Sequence, residues 1–375
     1  MSSITLPPKM KALVQEVKGD PLILKSVPTP QATHGAVVVQ VLASLAHPNL
    51  PKILSKEGLI FTYPIPFTPG DRSVGRVAAT GPDTTSLPVG QLVMVEPWFR
   101  ARDNSDVQIL FGAFDGSTPA AKTWMADNWR YAAYAEYVKT PLENTWALNE
   151  NRLCKELGYS IPELLQLTVD VVAYGGLRGI DIKAGERLIV APATGMFSGA
   201  TVGVAVAMGV SVIAVGRNIE VLKKLKETCP EQIEIVVLTG DLENDKAAMM
   251  RFGPVDALLE MSPAEAGGSN YVRAAFGALR QYGRASIMGY GTGLMADIEI
   301  PYMEVVFKNL RIQGQCMYER EHVRGLVKLA ESGALKLGNK RGDGVKGTFK
   351  LEEVDELFKG KVGVGSFYAL TPWKE

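Results

Sequence analysis

The spacing of hydrophobic positions changes character near residue 160. Before that point short runs alternate apolar and polar positions, as in Ala36-Val-Val-Val-Gln-Val-Leu42 and Ser73-Val-Gly-Arg-Val-Ala78, with turns at Pro64, Pro66, Pro69-Gly70 and Gly81-Pro82 between them. Alternation between turns predicts a compact antiparallel β domain. The stretch 97–129 is irregular, rich in Asp, Asn, Gly and aromatics, and longer than a structural connection needs to be. From about Ile161 strand-like blocks at 187–191, 210–215, 235–238, 255–259 and 284–288 are separated by helix-length segments. That rhythm predicts an α/β fold, a doubly wound parallel sheet with helices on both faces. From about Gln315 follow a helix at 322–332, a Gly/Lys loop at 337–347 and an amphipathic helix at 351–358, which are expected to return to the first domain. The expected division is therefore 1–160 completed by 315–375, and 161–314 as the parallel-sheet domain.

One segment competes with this reading. Residues 188–216 carry no charge, and a window of ~19 residues there has the hydropathy of a membrane span. Even its Gly199…Gly203 spacing mimics a helix-dimer motif. The run nevertheless breaks into two short β-branched stretches around a Pro/Gly/Thr/Ser turn and an Ala/Val-rich helix, and strands buried on both faces read as continuous apolar runs. Buried strands, not a membrane span, are expected.

Length and charge narrow the class. The 375 residues suffice for two cores. With 40 Lys+Arg against 40 Asp+Glu there is no cationic surplus to gather phosphate backbones, so nucleic acid is excluded as a partner. Cys154, Cys229 and Cys316 are odd in number and far apart, forming neither a disulfide framework nor a CxxC zinc pattern. The N-terminal MSSITLPPKMKALVQEV has no signal-like apolar core, and the cytoplasm is the expected location.

The turn after the first strand of the second domain reads Ala193-Thr194-Gly195-Met196-Phe197-Ser198-Gly199. A dinucleotide site needs small residues there, so that the backbone can approach the pyrophosphate and the helix N-terminus can offer its N–H groups. Ala193, Gly195 and Ser198 take the three glycine positions of a degraded G-x-G-x-x-G, flanked by Thr194, Met196 and Phe197. The next strand ends at Gly216-Arg217-Asn218, where an NAD site would place Asp or Glu for the ribose 2′-hydroxyl. A guanidinium there suits a 2′-phosphate, so NADP(H) is the expected cofactor, with Asn218 as a neutral partner. The competing reading is that Arg217 only solvates a helix start. Ser262 and the pair Gly289-Tyr290 fall at the carboxyl ends of the fourth and fifth strands, where ligands of open α/β sheets lie.

Together these residues resemble the medium-chain dehydrogenase/reductase superfamily over nearly the whole chain. The likeness runs through Val41-Leu-Ala-Ser-Leu-Ala-His-Pro48, Pro66-Phe-Thr-Pro-Gly70, Leu87-Pro-Val-Gly-Gln-Leu-Val93, Tyr134-Ala-Glu-Tyr137, Tyr174-Gly-Gly-Leu177 and Lys308-Asn-Leu-Arg-Ile-Gln-Gly314 in family order. It implies a GroES-like substrate domain followed by a Rossmann domain, and is closest to the zinc-independent branches of quinone and enoyl reductases and natural-product-pathway dehydrogenases. In the zinc alcohol dehydrogenases a Cys, a His-Glu pair and a later Cys surround the catalytic metal. At those positions this sequence has His47, then Asp71-Arg72, and about Thr168. The four-Cys structural zinc lobe has no cysteine in 97–129. No metal is expected.

Without a metal, developing charge must be met by hydrogen-bond donors. His47 is the first candidate, with a pKa that a carboxylate or cofactor phosphate would raise and with Asp71 to orient it. Its alternatives are contact with the nicotinamide ribose, or packing; Asp71 equally suits an ion pair with Arg72. Tyr63 and Tyr174 are further hydroxyl candidates. The expected activity is hydride transfer to an activated C=C or C=O of a small organic substrate, for which the aromatic-rich stretch 111–129 suggests a large apolar or aromatic character. The alternatives are a carbonyl/alcohol dehydrogenase of the same fold, and a redox-neutral cyclase or synthase partner. A homodimer is expected, since family members often pair through the strand before Tyr318.

Overall fold

The computed structural model describes residues 6–58, 61–263, 269–289, 299–342, 344–360 and 365–373. The chain divides into two compact units, Met1–Thr168 with Gly344–Glu375, and Val169–Asp343.

In the first unit a seven-stranded sheet runs Gly344–Phe349, Ser366–Leu370, Ala36–Ala46, Ser73–Thr80, Leu92–Val95, Thr145–Ala147, and Tyr137–Pro141 also pairs with Ala36–Ala46. Its pairs are antiparallel except Gly344–Phe349 with Ser366–Leu370, which is parallel. Ala36–Ala46 is the organising strand. Its eleven residues serve three partners, and it is buried on both faces because Val37, Val39 and Val41 pack into one apolar cluster and Val38 into another.

The irregular stretch 97–129 folds as a small lobe. It contains a hairpin of Trp98–Arg100 with Gln108–Leu110 and a helix Pro119–Trp124, whose N-terminus is capped by the Thr118 hydroxyl accepting from Ala121 N–H. Phe99 stacks on Phe111 with ring centroids 4.4 Å apart, and Trp129 meets Phe99 edge-on at 5.5 Å. These aromatics belong to the unit's core, so packing accounts for their abundance.

The second unit has a six-stranded parallel sheet in the order Ile233–Val237, Ser211–Gly216, Arg187–Ala191, Val255–Glu260, Leu279–Ile287, Arg311–Gly314. Order reverses at Arg187–Ala191, the switch point at which doubly wound sheets bind ligands beyond their strand ends. The charge-free segment 188–216 is two buried strands around the twelve-residue helix Met196–Ala207. No helix among the described residues is long and apolar enough to cross a membrane.

The return to the first unit comes at Gly344, not near 315 as the pattern suggested. Helix Arg320–Glu331, which buries Val323, Leu326, Val327 and Ala330, belongs to the second unit. Arg341, just beyond it, makes a buried two-pronged bond to Asp170, at 2.9 Å on each oxygen. The first boundary also falls later, within helix Gln166–Gly179.

Candidate functional site

In the first unit, pairing of Ser44 with Ser73 sets the geometry. His47 lies three residues beyond Ser44 and Asp71-Arg72 lie just before Ser73, so antiparallel register brings them to one end of the sheet. Backbone bonds fix the approach: Leu45 N–H and the Ser44 hydroxyl both donate to the Arg72 carbonyl, at 3.0 and 2.9 Å. Gly70 enters this turn at φ +109°, and a Cβ there would stand 2.5 Å from the Tyr134 ring, so only glycine fits.

Asp71 and Arg72 are 3% and 2% exposed and form an ion pair through Oδ2 and Nη1. Arg72 Nε donates to the Thr168 carbonyl at 3.2 Å. His47 retains partial exposure, although its imidazole sits deep among protein atoms. Its Nδ1 accepts the backbone N–H of Asn49 at 3.2 Å. From that bond, the proton of the neutral ring is placed on Nε2.

The protein's own groups push the His47 pKa down to about 3, first through burial and then through the Arg72 charge. The sequence had pointed the other way, toward a raised value supported by Asp71. The correction follows from the ion pair: the Asp71 carboxylate is matched by Arg72, and what reaches His47 is the guanidinium. Tyr63 is also reassigned. Its hydroxyl donates to Gln15 Oε1 at 2.8 Å, its ring stacks on Phe67, and burial pushes the phenol up to about 12, so it is a packing residue. Tyr174 packs beside Gly325 and His322 in the second unit.

In the second unit the candidate cofactor residues fall where the sequence placed them. Ala193 N–H donates to the Val215 carbonyl at 2.7 Å, stitching the turn to the neighbouring strand. Gly195 is exposed and caps helix Met196–Ala207, its N–H donating to Ser198 Oγ at 3.0 Å. Thr194, Met196 and Phe197 are partly exposed around it. Gly216 is required by close approach, since a Cβ would lie 2.8 Å from Thr194 Cγ2. Asn218 caps the next helix, its Oδ1 accepting from Glu220 and Val221 N–H at 3.1 and 3.3 Å. Arg217 is exposed and has no carboxylate partner among the described residues.

Ser262 and Gly289 are drawn together by a residue the sequence reading missed. The fully buried Glu260 carboxylate accepts from both backbone amides, at 2.7 and 3.2 Å. Ser262 Oγ is paired with the Tyr271 hydroxyl. Only its position at a strand end could have flagged Glu260. Tyr290 lies outside the described residues.

Residues 33–150 match the alcohol dehydrogenase GroES-like domain, and residues 198–332 match the zinc-binding dehydrogenase family. The chain belongs to the medium-chain dehydrogenase/reductase superfamily. This superfamily member is 25% identical over 332 residues to an alcohol dehydrogenase of Geobacillus stearothermophilus, covering 87% of this chain and 90% of that one. It is 23% identical to an NAD-dependent alcohol dehydrogenase of Sulfurisphaera tokodaii, covering 92% and 95%. Among solved structures, a thermostable alcohol dehydrogenase from Pyrobaculum aerophilum superposes with a TM-score of 0.70 at 20% identity, covering 97% of this chain and all of that one.

The family description names zinc, and the residues present do not fit it. Catalytic zinc takes three N, S or O ligands and an open position. Here the imidazole offers a ring whose Nδ1 is engaged by Asn49, the carboxylate is matched by Arg72, and the Thr168 carbonyl already accepts from Arg72. Among the described residues no group of three His, Cys, Asp or Glu could hold a metal ion. The buried Arg72 guanidinium adds a fixed positive charge beside these groups.

Proposed function

We propose that this protein is a metal-free, NADP(H)-dependent oxidoreductase that moves hydride between the nicotinamide and the carbon of a small organic carbonyl or alcohol. The observation that carries this reading is His47: an imidazole held neutral, its proton directed to Nε2, backed by the buried Asp71–Arg72 pair. The alcohol dehydrogenases among the relatives favour a C=O/C–OH couple.

The turn Ala193–Phe197 and the N-terminus of helix Met196–Ala207 would hold the pyrophosphate, with backbone N–H groups of the helix's first turn as donors. Arg217 would pair with the 2′-phosphate, and the Asn218 amide nitrogen would donate to it, since its oxygen is committed to the helix cap. The Sulfurisphaera relative is named for NAD; the absence of a carboxylate at the end of Ser211–Gly216 is what supports NADP(H) here.

When bound, the nicotinamide supplies or accepts the hydride. As charge grows on the substrate oxygen, His47 Nε2–H donates to it, and the Arg72 charge behind the ring strengthens that donor. A ring held at about 3 is no general acid near neutrality, so water delivers the proton that completes the alcohol. The same property favours one second reading, conjugate reduction of an enone, whose delocalised enolate needs a donor more than an acid.

The test is turnover of ketones, aldehydes and enones with NADPH deuterated at C4. Deuterium at the carbinol carbon supports the first reading and at the β-carbon the second. Bound NADPH with no turnover on any of them would overturn both in favour of a redox-neutral role.

We also propose a homodimer. Strand Arg311–Gly314 is a sheet edge with all four residues exposed, and beside it in sequence helix Tyr302–Phe307 exposes Tyr302 and Phe307 at 75% and 68%. An open edge flanked by aromatics suits a second copy of itself.

A further inference from the structure

Tyr134 touches both halves of the first unit's polar cluster. It is fully buried. Its hydroxyl donates to the Leu45 carbonyl at 3.2 Å, and the same oxygen accepts the backbone N–H of His47. Its backbone meets the other half: Tyr134 N–H donates to the Pro69 carbonyl at 2.9 Å, and Ala133 N–H to the Gly70 carbonyl at 3.0 Å. The ring lies against Gly70, the residue that leads into Asp71-Arg72.

From this geometry we infer that Tyr134 is a positioning residue, which holds the Leu45–His47 strand end in register with the turn that presents Asp71 and Arg72. A phenylalanine would fill the same space, so packing alone does not call for the hydroxyl. What the oxygen adds is simultaneous donation and acceptance at the exit of strand Ala36–Ala46, where the ladder ends and backbone groups need other partners. Burial raises the phenol's pKa well above its usual value, so the group remains a donor throughout the working pH range. The site's two halves arrive on separate strands, and catalytic geometry is sensitive to shifts of an ångström.

This inference rests on the reading of His47 as the donor to substrate oxygen, and the experiment separates the two. Tyr134→Phe keeps the ring and is expected to fold. In it, kcat should fall on the order of tenfold while the KM for NADPH stays within twofold, the mark of displaced chemistry and not of lost binding. In parallel, the His47 imidazole resonances, assignable among only three histidines by comparison with His47→Gln, should shift. Unchanged kcat together with unmoved His47 resonances overturns the inference. If the parent protein turns over no carbonyl or enone, the functional reading fails, and the resonance shift alone decides for or against Tyr134. Hydrogen exchange in the unmodified protein serves if the variant does not fold: protection of the His47 amide is expected, and exchange as fast as in an unstructured chain would overturn the assignment.

Discussion

Arg72 Nε donates to the carbonyl of Thr168 at 3.2 Å, joining directly two of the positions where the resemblance to zinc alcohol dehydrogenases would place metal ligands. With Asp71 on its other side, the guanidinium has a built seat. Purified protein should therefore carry zinc far below one ion per chain, and prolonged chelation should leave turnover unchanged. Stoichiometric zinc by elemental analysis, with loss of activity on its removal, would overturn this.

Removing one member of that buried pair strands the other. Arg72→Ala is expected to destabilise the protein by about 3–5 kcal/mol, because the Asp71 carboxylate is left without its counter-charge. The double change Asp71→Leu with Arg72→Met should fold markedly better than Arg72→Ala while losing turnover. Denaturant unfolding of the three proteins checks the order; equal stability of Arg72→Ala and its parent sinks the argument.

The pH dependence of stability follows from His47. Its pKa is about 3 in the fold and near 6.5 in an unfolded chain. Below pH 6.5 the unfolded chain binds a proton that the folded protein does not, so stability falls as pH drops, at up to about 1.4 kcal/mol per pH unit, until pH nears 3. Above pH 6.5 the residue contributes no slope. Carboxylates held below their usual range, such as Glu150 by Arg76, add losses only at lower pH. His47→Gln should therefore lose less stability than its parent between pH 7 and 5, and parallel curves for the two would count against a neutral, buried ring.

At the other ligand, Arg217→Ala should weaken NADPH binding by roughly 10- to 100-fold, the worth of a charge-assisted bond, and leave NADH nearly unaffected. Titration calorimetry with both cofactors reads the difference. Equal losses for the two, or none, remove the 2′-phosphate assignment.

For the dimer, Phe307→Lys combined with Ile312→Lys places charge on the exposed helix and the open edge. Sedimentation should show a dimer for the parent and a monomer for the variant. A monomeric parent at micromolar concentration ends the proposal.

The second unit was the more legible in sequence. Its central strand Arg187–Ala191 is buried from Leu188 onward, so Leu188–Ala191 reads as an uninterrupted apolar block, and the strand has the same limits in pattern and structure. The cofactor turn was equally visible, because small residues at a strand–helix junction are a local signal. The return to the first unit was not. Helix Arg320–Glu331 has an apolar face that could serve either core, and the Asp170–Arg341 bond that helps hold it spans 171 positions. In the first unit His47, Asp71 and Arg72 were recognisable by position, but the direction of the His47 shift depends on which of two adjacent charges is already neutralised. Tyr134 stood in a quoted motif without a role, since its partners lie 89 residues away on another strand.

The aromatic lobe at 97–129 has a consequence for handling the protein. The stretch 97–129 contains no cysteine, so thiol–disulfide chemistry has no purchase on it, while Met125 and the tryptophans remain its oxidisable side chains. Its cohesion is hydrophobic, and that weakens on cooling. Storage near freezing is thus the condition to watch, and Trp124 and Trp129, packed edge to face at 6.0 Å, provide a built-in fluorescent gauge of its loosening.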